Sequence, residues 1–261
     1  MASRRGVSMS STTDHAKDAP PEGIGTESPD YVEDPIRGQR LYDDAFRRVF
    51  EFLYSNHIAG DILEFGTYKG FSAALLARLL RDFGNRPRFR VVPSRRLWCF
   101  DSFEAFPTSP SAVDHTSYEV TYTGTWAPGA GSPPPGTAAA VHEMLTGMLG
   151  SERARVITGF YEQTLPKSLP RDPIALVHLD CDLYASSRYA LETVLTTCDV
   201  AEGCVLLCDD YNCNRADENF GQRRAIREVI DDGGQFTRTD FFSYGWNARA
   251  FILHRRKAGA L

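Results

Sequence analysis

From Asp61 onward, short apolar runs that end in Gly or Asp alternate with stretches of helical periodicity, and this alternation leaves few folds open to the chain. Residues 61–66 read as a buried strand and 71–83 as a helix, with a second strand over Leu97–Asp101. Three more apolar runs follow at 155–159, 174–180 and 204–209, with a helical stretch, Tyr184–Thr197, between the last two. A further helix is expected over 225–230. The segments Phe236–Tyr244 and 249–254 read as a closing antiparallel hairpin. Strands that alternate with helices imply a doubly wound, Rossmann-like α/β sheet, mostly parallel. Such sheets take their ligands at the carboxyl ends of the strands, near the point where strand order reverses.

The remainder of the chain is arranged around this unit. Residues 1–35 are rich in Ser, Thr, Pro, Gly and Asp without apolar periodicity, which predicts a disordered tail, so that 36–261 form the domain. Leu41, Ala45, Phe46, Val49, Phe50 and Leu53 recur at helical spacing and predict a core-facing helix over 38–56. Residues 106–136 carry six prolines among several Gly and Ser, together with Tyr118, Tyr122 and Trp126. So long an irregular segment in a compact domain points to function, and its aromatic residues suggest a substrate lid.

Composition removes several classes. A net charge of -5 lacks the basic footprint of a nucleic-acid binder, and the one locally basic stretch, 78–96, reads as solvated loop and helix face. No apolar run approaches the length of a membrane span, and no apolar segment follows Arg4 and Arg5 as in a signal peptide. The six cysteines match no zinc spacing and mostly sit in apolar runs, so reduced thiols and a cytoplasmic location are expected.

The first strand ends in Leu63-Glu64-Phe65-Gly66-Thr67-Tyr68-Lys69-Gly70-Phe71-Ser72. A dinucleotide loop needs a glycine two positions after the first, where backbone approaches the pyrophosphate. Here that position is Tyr68, which obstructs a pyrophosphate but suits S-adenosylmethionine (SAM), a cofactor without one. The SAM carboxylate could take bonds from Ser72 and the helix N-terminus, and its ammonium could pair with Glu64. Gly66 and Gly70 could equally be turn and packing glycines. Asp101, at the end of the second strand in Trp98-Cys99-Phe100-Asp101-Ser102-Phe103, could accept bonds from ribose hydroxyls or cap the turn that follows.

Two further strand ends carry paired acids, His178-Leu179-Asp180-Cys181-Asp182-Leu183-Tyr184 and Leu207-Cys208-Asp209-Asp210-Tyr211. Four carboxylates at neighbouring strand ends repel unless a cation sits among them. Oxygen donors favour Mg²⁺. Methyl transfer to a neutral hydroxyl explains the need, because a metal lowers the hydroxyl pKa and a carboxylate takes the proton. Asp180, Asp209 and Asp210 are the candidate ligands and Asp182 the candidate base. His178 reads as a core residue behind the ligands, and capping of helix N-termini is the alternative use for the aspartates.

The loop 63–73 and the Asp180 and Asp209-Asp210 strand ends resemble catechol O-methyltransferase. The set Asp101-Ser102-Phe103-Glu104, Gly159-Phe160 with Thr164-Leu165-Pro166, Asp180-Cys181-Asp182-Leu183-Tyr184 and Asp209-Asp210-Tyr211 is more similar to the macrocin (TylF-like) O-methyltransferases, which methylate sugar hydroxyls of antibiotics. That resemblance spans 61–254. It implies a SAM site that includes Glu64, Gly66, Thr67, Tyr68, Gly70, Ser72, Asp101, Ser102, Gly159, Phe160 and Asp180. It also implies Mg²⁺ on Asp180, Asp209 and Asp210, Asp182 as base, and a homodimer. Leu183 stands where the catechol enzyme has its lysine base, which favours a sugar acceptor over a phenol. Cys181 replaces the glycine usual between the two aspartates. The competing readings are a non-catalytic SAM-binding module, which would need neither metal nor base, and an NAD-dependent oxidoreductase, which Tyr68 disfavours.

Overall fold

The structure is a computed structural model that describes residues 35–86 and 94–257, with side chains from residue 40. The expected tail therefore lies outside the described residues, as does 87–93 of the basic stretch. A seven-stranded sheet has the order β3-β2-β1-β4-β5-β7-β6. Its strands are β1 (Asp61–Phe65), β2 (Leu97–Asp101), β3 (Ala154–Thr158), β4 (Ile174–Leu179), β5 (Val200–Cys208), β6 (Phe236–Tyr244) and β7 (Ala248–Arg255). The first five pair in parallel. Strand β7 runs antiparallel to β5, and β6 antiparallel to β7. Strand order reverses between β1 and β4, so the switch point lies where the Gly66 loop meets Asp180.

Every residue of β1 and β4 is buried. Because successive strand side chains point to opposite faces, an apolar run buried on both sides feeds two cores. Ile62, Leu176 and Leu207 join the core beneath α1 (Pro35–Ser55), α2 (Phe71–Gly84) and α5 (Thr137–Leu149). Leu63, Val177 and Leu206 join the core beneath α7 (Tyr184–Thr197) and α8 (Gly221–Ile226), which runs on as a π-helical turn over Arg227–Asp231. Between β3 and β4 lies α6 (Tyr161–Ser168). Among the described residues no helix is long and apolar enough to cross a membrane, and all six cysteines are free.

Three expectations need correction. Leu41 is exposed, and Tyr42 takes the inward place in α1, packed edge-on against Phe46 and Tyr244. Helix α5 has no counterpart in the sequence reading. It buries Val141 and Leu145, one turn apart, and its three consecutive alanines blur the periodicity. Within 106–136 two short helices form, α3 (Ala112–His115) and α4 (Tyr118–Thr121). In the described part of the basic stretch Arg78, Arg81 and Arg96 keep partly exposed side chains, as a solvated face requires, and Arg95 departs from that reading. Arg78 meets Asp43, Arg96 meets Asp172, and Arg95, 1% exposed, donates to the carbonyls of Gly60 and Ile58.

Candidate active site

Four parallel strands deliver their ends to one place. The ladders extend past the strands, with the Asp180 N–H donating to Phe65 O at 2.8 Å and the Asp209 N–H to Leu179 O at 2.9 Å. The acids after β4 and β5 thus inherit the sheet's rigidity. One ligand oxygen from each of Asp180, Asp209 and Asp210 lies within 4.8 Å of the others, and Asp182 stands outside this set.

Strand parity sends the tandem acids to opposite faces. Asp209 accepts a hydrogen bond from the Tyr42 hydroxyl of α1 at 2.6 Å, and its other oxygen accepts from Asn247 Nδ2 at 3.5 Å. Asp210 turns towards α8. There Gln222, wholly buried, donates from Nε2 to Asp210 Oδ2 at 3.2 Å and to Leu179 O at 3.1 Å, while its Oε1 accepts the Asp210 N–H at 3.1 Å. The Asp182 N–H also donates to Asp210 Oδ2, at 3.2 Å. Tyr42 and Gln222 are functional candidates that sequence reasoning missed. Tyr42 lies 167 residues from the acid it holds, and Gln222 12 residues from its own, in the next helix.

Burial, then mutual repulsion, raises these carboxyls. Asp180 and Asp210 lie well above the carboxylate range. Asp209 is also raised by burial, although His178 and the Tyr42 bond act against the shift. Asp182 is pushed up to about 8 by burial and by the charges of Asp209, Asp101 and Glu119. Its backbone adopts φ 61°, a left-handed conformation that costs a non-glycine residue of order 1 kcal/mol. Two buried carboxylates and the half-buried Asp180, all oxygen donors at this spacing, could hold a hard divalent cation. His178 is not part of the set. It is fully buried in β4, pairs through Nδ1 with Glu64 Oε1 at 3.2 Å and packs edge-on against Phe46.

A cavity of about 420 Å³ opens beside the acids, within the usual size range of small-molecule sites. From the expected cofactor set it is lined by Gly66, Tyr68, Asp101, Ser102, Phe160 and Asp180, with Asp182 on the same wall. Glu64, Thr67, Gly70, Ser72 and Gly159 do not line it. Glu64 is wholly buried with Oε2 unpartnered, and Thr67 and Ser72 are buried beneath the loop. The glycines have structural reasons of their own. A Cβ on Gly66, at φ 91°, would lie 1.6 Å from Asp180 O, so only glycine lets β1 and β4 end side by side. Gly70 caps α2 at φ 80° against Val141 and Met144. Asp101 fills the turn-capping role expected of it. Its carboxylate accepts from Tyr68 N at 2.7 Å and from Phe103 N, the turn, at 2.6 Å, and lone pairs remain to face the cavity.

Residues 106–131 form the opposite wall. Asp114, 2% exposed, accepts from Tyr184 N at 2.8 Å and Ala185 N at 3.1 Å, capping α7, and from the Ser109 hydroxyl at 2.6 Å. Glu119 and Asn214 exchange backbone-to-side-chain bonds at 3.2 and 3.3 Å. The segment is thus fastened to the loops that follow both acid-bearing strands. His115 bonds Ser109 O, and His142 is exposed on α5, so neither enters the cavity.

The family profile described as Macrocin-O-methyltransferase (TylF) matches residues 5–238. This chain belongs to that family. It is accordingly an O-methyltransferase. The TylF-family chain is 28% identical over 225 residues to the 8-demethyl-8-(2,3-dimethoxy-alpha-L-rhamnosyl)-tetracenomycin-C 4'-O-methyltransferase of Streptomyces olivaceus, covering 84% of this chain and 79% of that protein. It is 25% identical over 191 residues to the demethyldecarbamoylnovobiocin O-methyltransferase of Streptomyces niveus, covering 71% of this chain and 66% of the other. Its fold is shared with the calicheamicin methyltransferase CalS11, at a TM-score of 0.63, 22% identity and coverage of 86% and 82%. The O-methyltransferase NovP shares it too, at a TM-score of 0.59, 21% identity and coverage of 84% and 80%.

Proposed function

We propose that this TylF-family enzyme transfers a methyl group from SAM to a sugar hydroxyl of a glycosylated natural product, with Mg²⁺ held by Asp180, Asp209 and Asp210. The observation that carries the reading is the convergence of those three carboxylates within 4.8 Å, next to a cavity that the Gly66 loop and Asp101 also line. The sugar acceptor is favoured by the names of two relatives, a methyltransferase of a rhamnosyl tetracenomycin and CalS11, which also bears the description TDP-rhamnose 3'-O-methyltransferase. Within the site, Asp101 would hold the ribose, and Gly66 and Tyr68 would border the methionyl end. The cation, when bound, supplies Lewis-acid chemistry that lowers the pKa of the acceptor hydroxyl and fixes its orientation. Asp182 takes the proton as the acceptor oxygen bonds to the methyl carbon and the carbon–sulfur bond breaks. Burial raises the Asp182 carboxyl above the ordinary carboxylate range, which makes it a stronger base than an exposed aspartate. Tyr42 and Gln222 keep Asp209 and Asp210 turned inward. Residues 106–136 serve as the lid.

The test is transfer of labelled methyl from SAM to a rhamnosylated polyketide, in Mg²⁺ and after EDTA treatment. The expected outcome is transfer that EDTA abolishes and Mg²⁺ restores. Full activity in EDTA would overturn the metal, and calorimetric binding of NAD without binding of SAM would overturn the cofactor.

A further inference from the structure

The cavity has two walls of different chemistry. One is the polar set of strand ends, and the other is built from Phe106, Pro107, Pro110, Thr125 and Trp126. Asp209, Asp210, Tyr42 and Asn247 do not line it. The apolar wall therefore shares one space with Asp101, Ser102 and Phe160 and with Asp180 and Asp182, which also line the cavity. This wall is held together by bonds of its own. Phe106 N–H donates to Ala130 O and Gly129 N–H to Phe106 O, both at 2.9 Å, which closes the neck of the segment. Gly131, at φ 70°, lies so close to the Phe106 ring that a Cβ there would approach it to 2.9 Å. Trp126 is 6% exposed, and its N–H donates to Glu119 O at 3.3 Å, so it rides on the residue that pairs with Asn214.

We infer that Trp126 is a cofactor-binding residue, and that the adenosyl group of SAM packs against the 106–131 wall. The inference rests on the SAM reading given above. With the ribose on Asp101, the nucleoside base continues into the space bounded by Phe160, Phe106 and Trp126, where flat apolar surfaces suit a purine.

Calorimetry with S-adenosylhomocysteine and with 5′-methylthioadenosine, which keeps the nucleoside and lacks the amino acid, tests this. Trp126→Ala should weaken both ligands at least tenfold, and Trp126→Phe should restore both to within about threefold of wild type, which a loss of fold would not permit. In a Trp98→Phe/Trp246→Phe background Trp126 is the remaining indole, the chain having three Trp, and its fluorescence should change on titration with S-adenosylhomocysteine. Unchanged affinity for both ligands in a cooperatively melting Trp126→Ala protein would overturn the inference. So would unchanged fluorescence in the single-Trp protein while calorimetry registers binding. If wild type binds neither ligand, the SAM reading itself fails, a result separable from these.

Discussion

The two walls of the cavity are held by different physical means. Asp180 and Asp209 continue the ladders of a parallel sheet buried on both faces, so their backbone positions are set by the core. The 106–131 wall has no sheet behind it. It depends on a few polar fastenings, chiefly Asp114 on the first turn of α7 and Glu119 on Asn214. Under the proposed function, the chemistry that requires carboxylates near one another would sit on the rigid wall, where repacking cannot relieve their repulsion. Contact with a ligand that enters and leaves would sit on the wall whose fastenings can open locally at modest cost.

The comparison is broken most directly on the rigid side. Asp182→Asn keeps size and polarity but cannot take a proton, and should lower kcat by about 10²–10⁴ with SAM and Mg²⁺ affinities nearly intact. Asp180→Ala should instead lose Mg²⁺ binding, with activity partly recovered at high Mg²⁺. Calorimetry alongside steady-state kinetics separates the two, and if Asp182→Asn abolishes metal binding as well, Asp182 is a ligand.

A second expectation concerns pH. Carboxyls raised by burial bind more protons in the folded state than in the unfolded state, between the ordinary carboxyl range near 4 and, for Asp182, about 8. Stability in EDTA should therefore fall as pH rises through that window, by up to about 1.4 kcal/mol per pH unit for each group titrating. Above about 8 the contribution of Asp182 should vanish. Mg²⁺ favours the deprotonated acids, so its stabilising effect should be larger at pH 8 than at pH 6. Calorimetric melting at pH 5 to 8, with and without Mg²⁺, checks the sign; melting in EDTA that does not vary with pH would refute it.

The smallest effect is expected on the fastened wall. Asp114→Asn keeps one side-chain acceptor but removes the charge at the N-terminus of α7, and should cost about 0.5–2 kcal/mol of stability. Limited proteolysis should then cut within 106–136 sooner than in wild type while Mg²⁺ affinity stays unchanged. If metal affinity falls in step with protease resistance, the two walls are one cooperative unit.

Much of the rigid wall was legible in the sequence, because a strand buried on both faces leaves a continuous apolar run that stops where the chain turns to solvent or ligand. The ends of β1, β2, β4 and β5 could be found that way, and with them the acids. The 106–136 segment could be recognised as exceptional by its prolines and aromatics, but not where it docks. Asp114 lies 70 residues before the amide it caps, and nothing local distinguishes it from a turn aspartate. Helix α5 escaped notice because packing on α2 and β3, more than periodicity, makes it a helix.

By itself, then, the sequence determined the sheet, the Gly66 loop and the placing of four aspartates at strand ends, since each follows from local period and residue chemistry. Only the tertiary structure decided that Gly66 must be glycine to admit the Asp180 carbonyl, and that Tyr42, 167 residues away, orients Asp209. It alone set Gln222 against Asp210 and brought Trp126 to the cavity. These contacts join different elements, and their partners are chosen by how the two cores pack against the sheet rather than by any pattern of neighbouring residues.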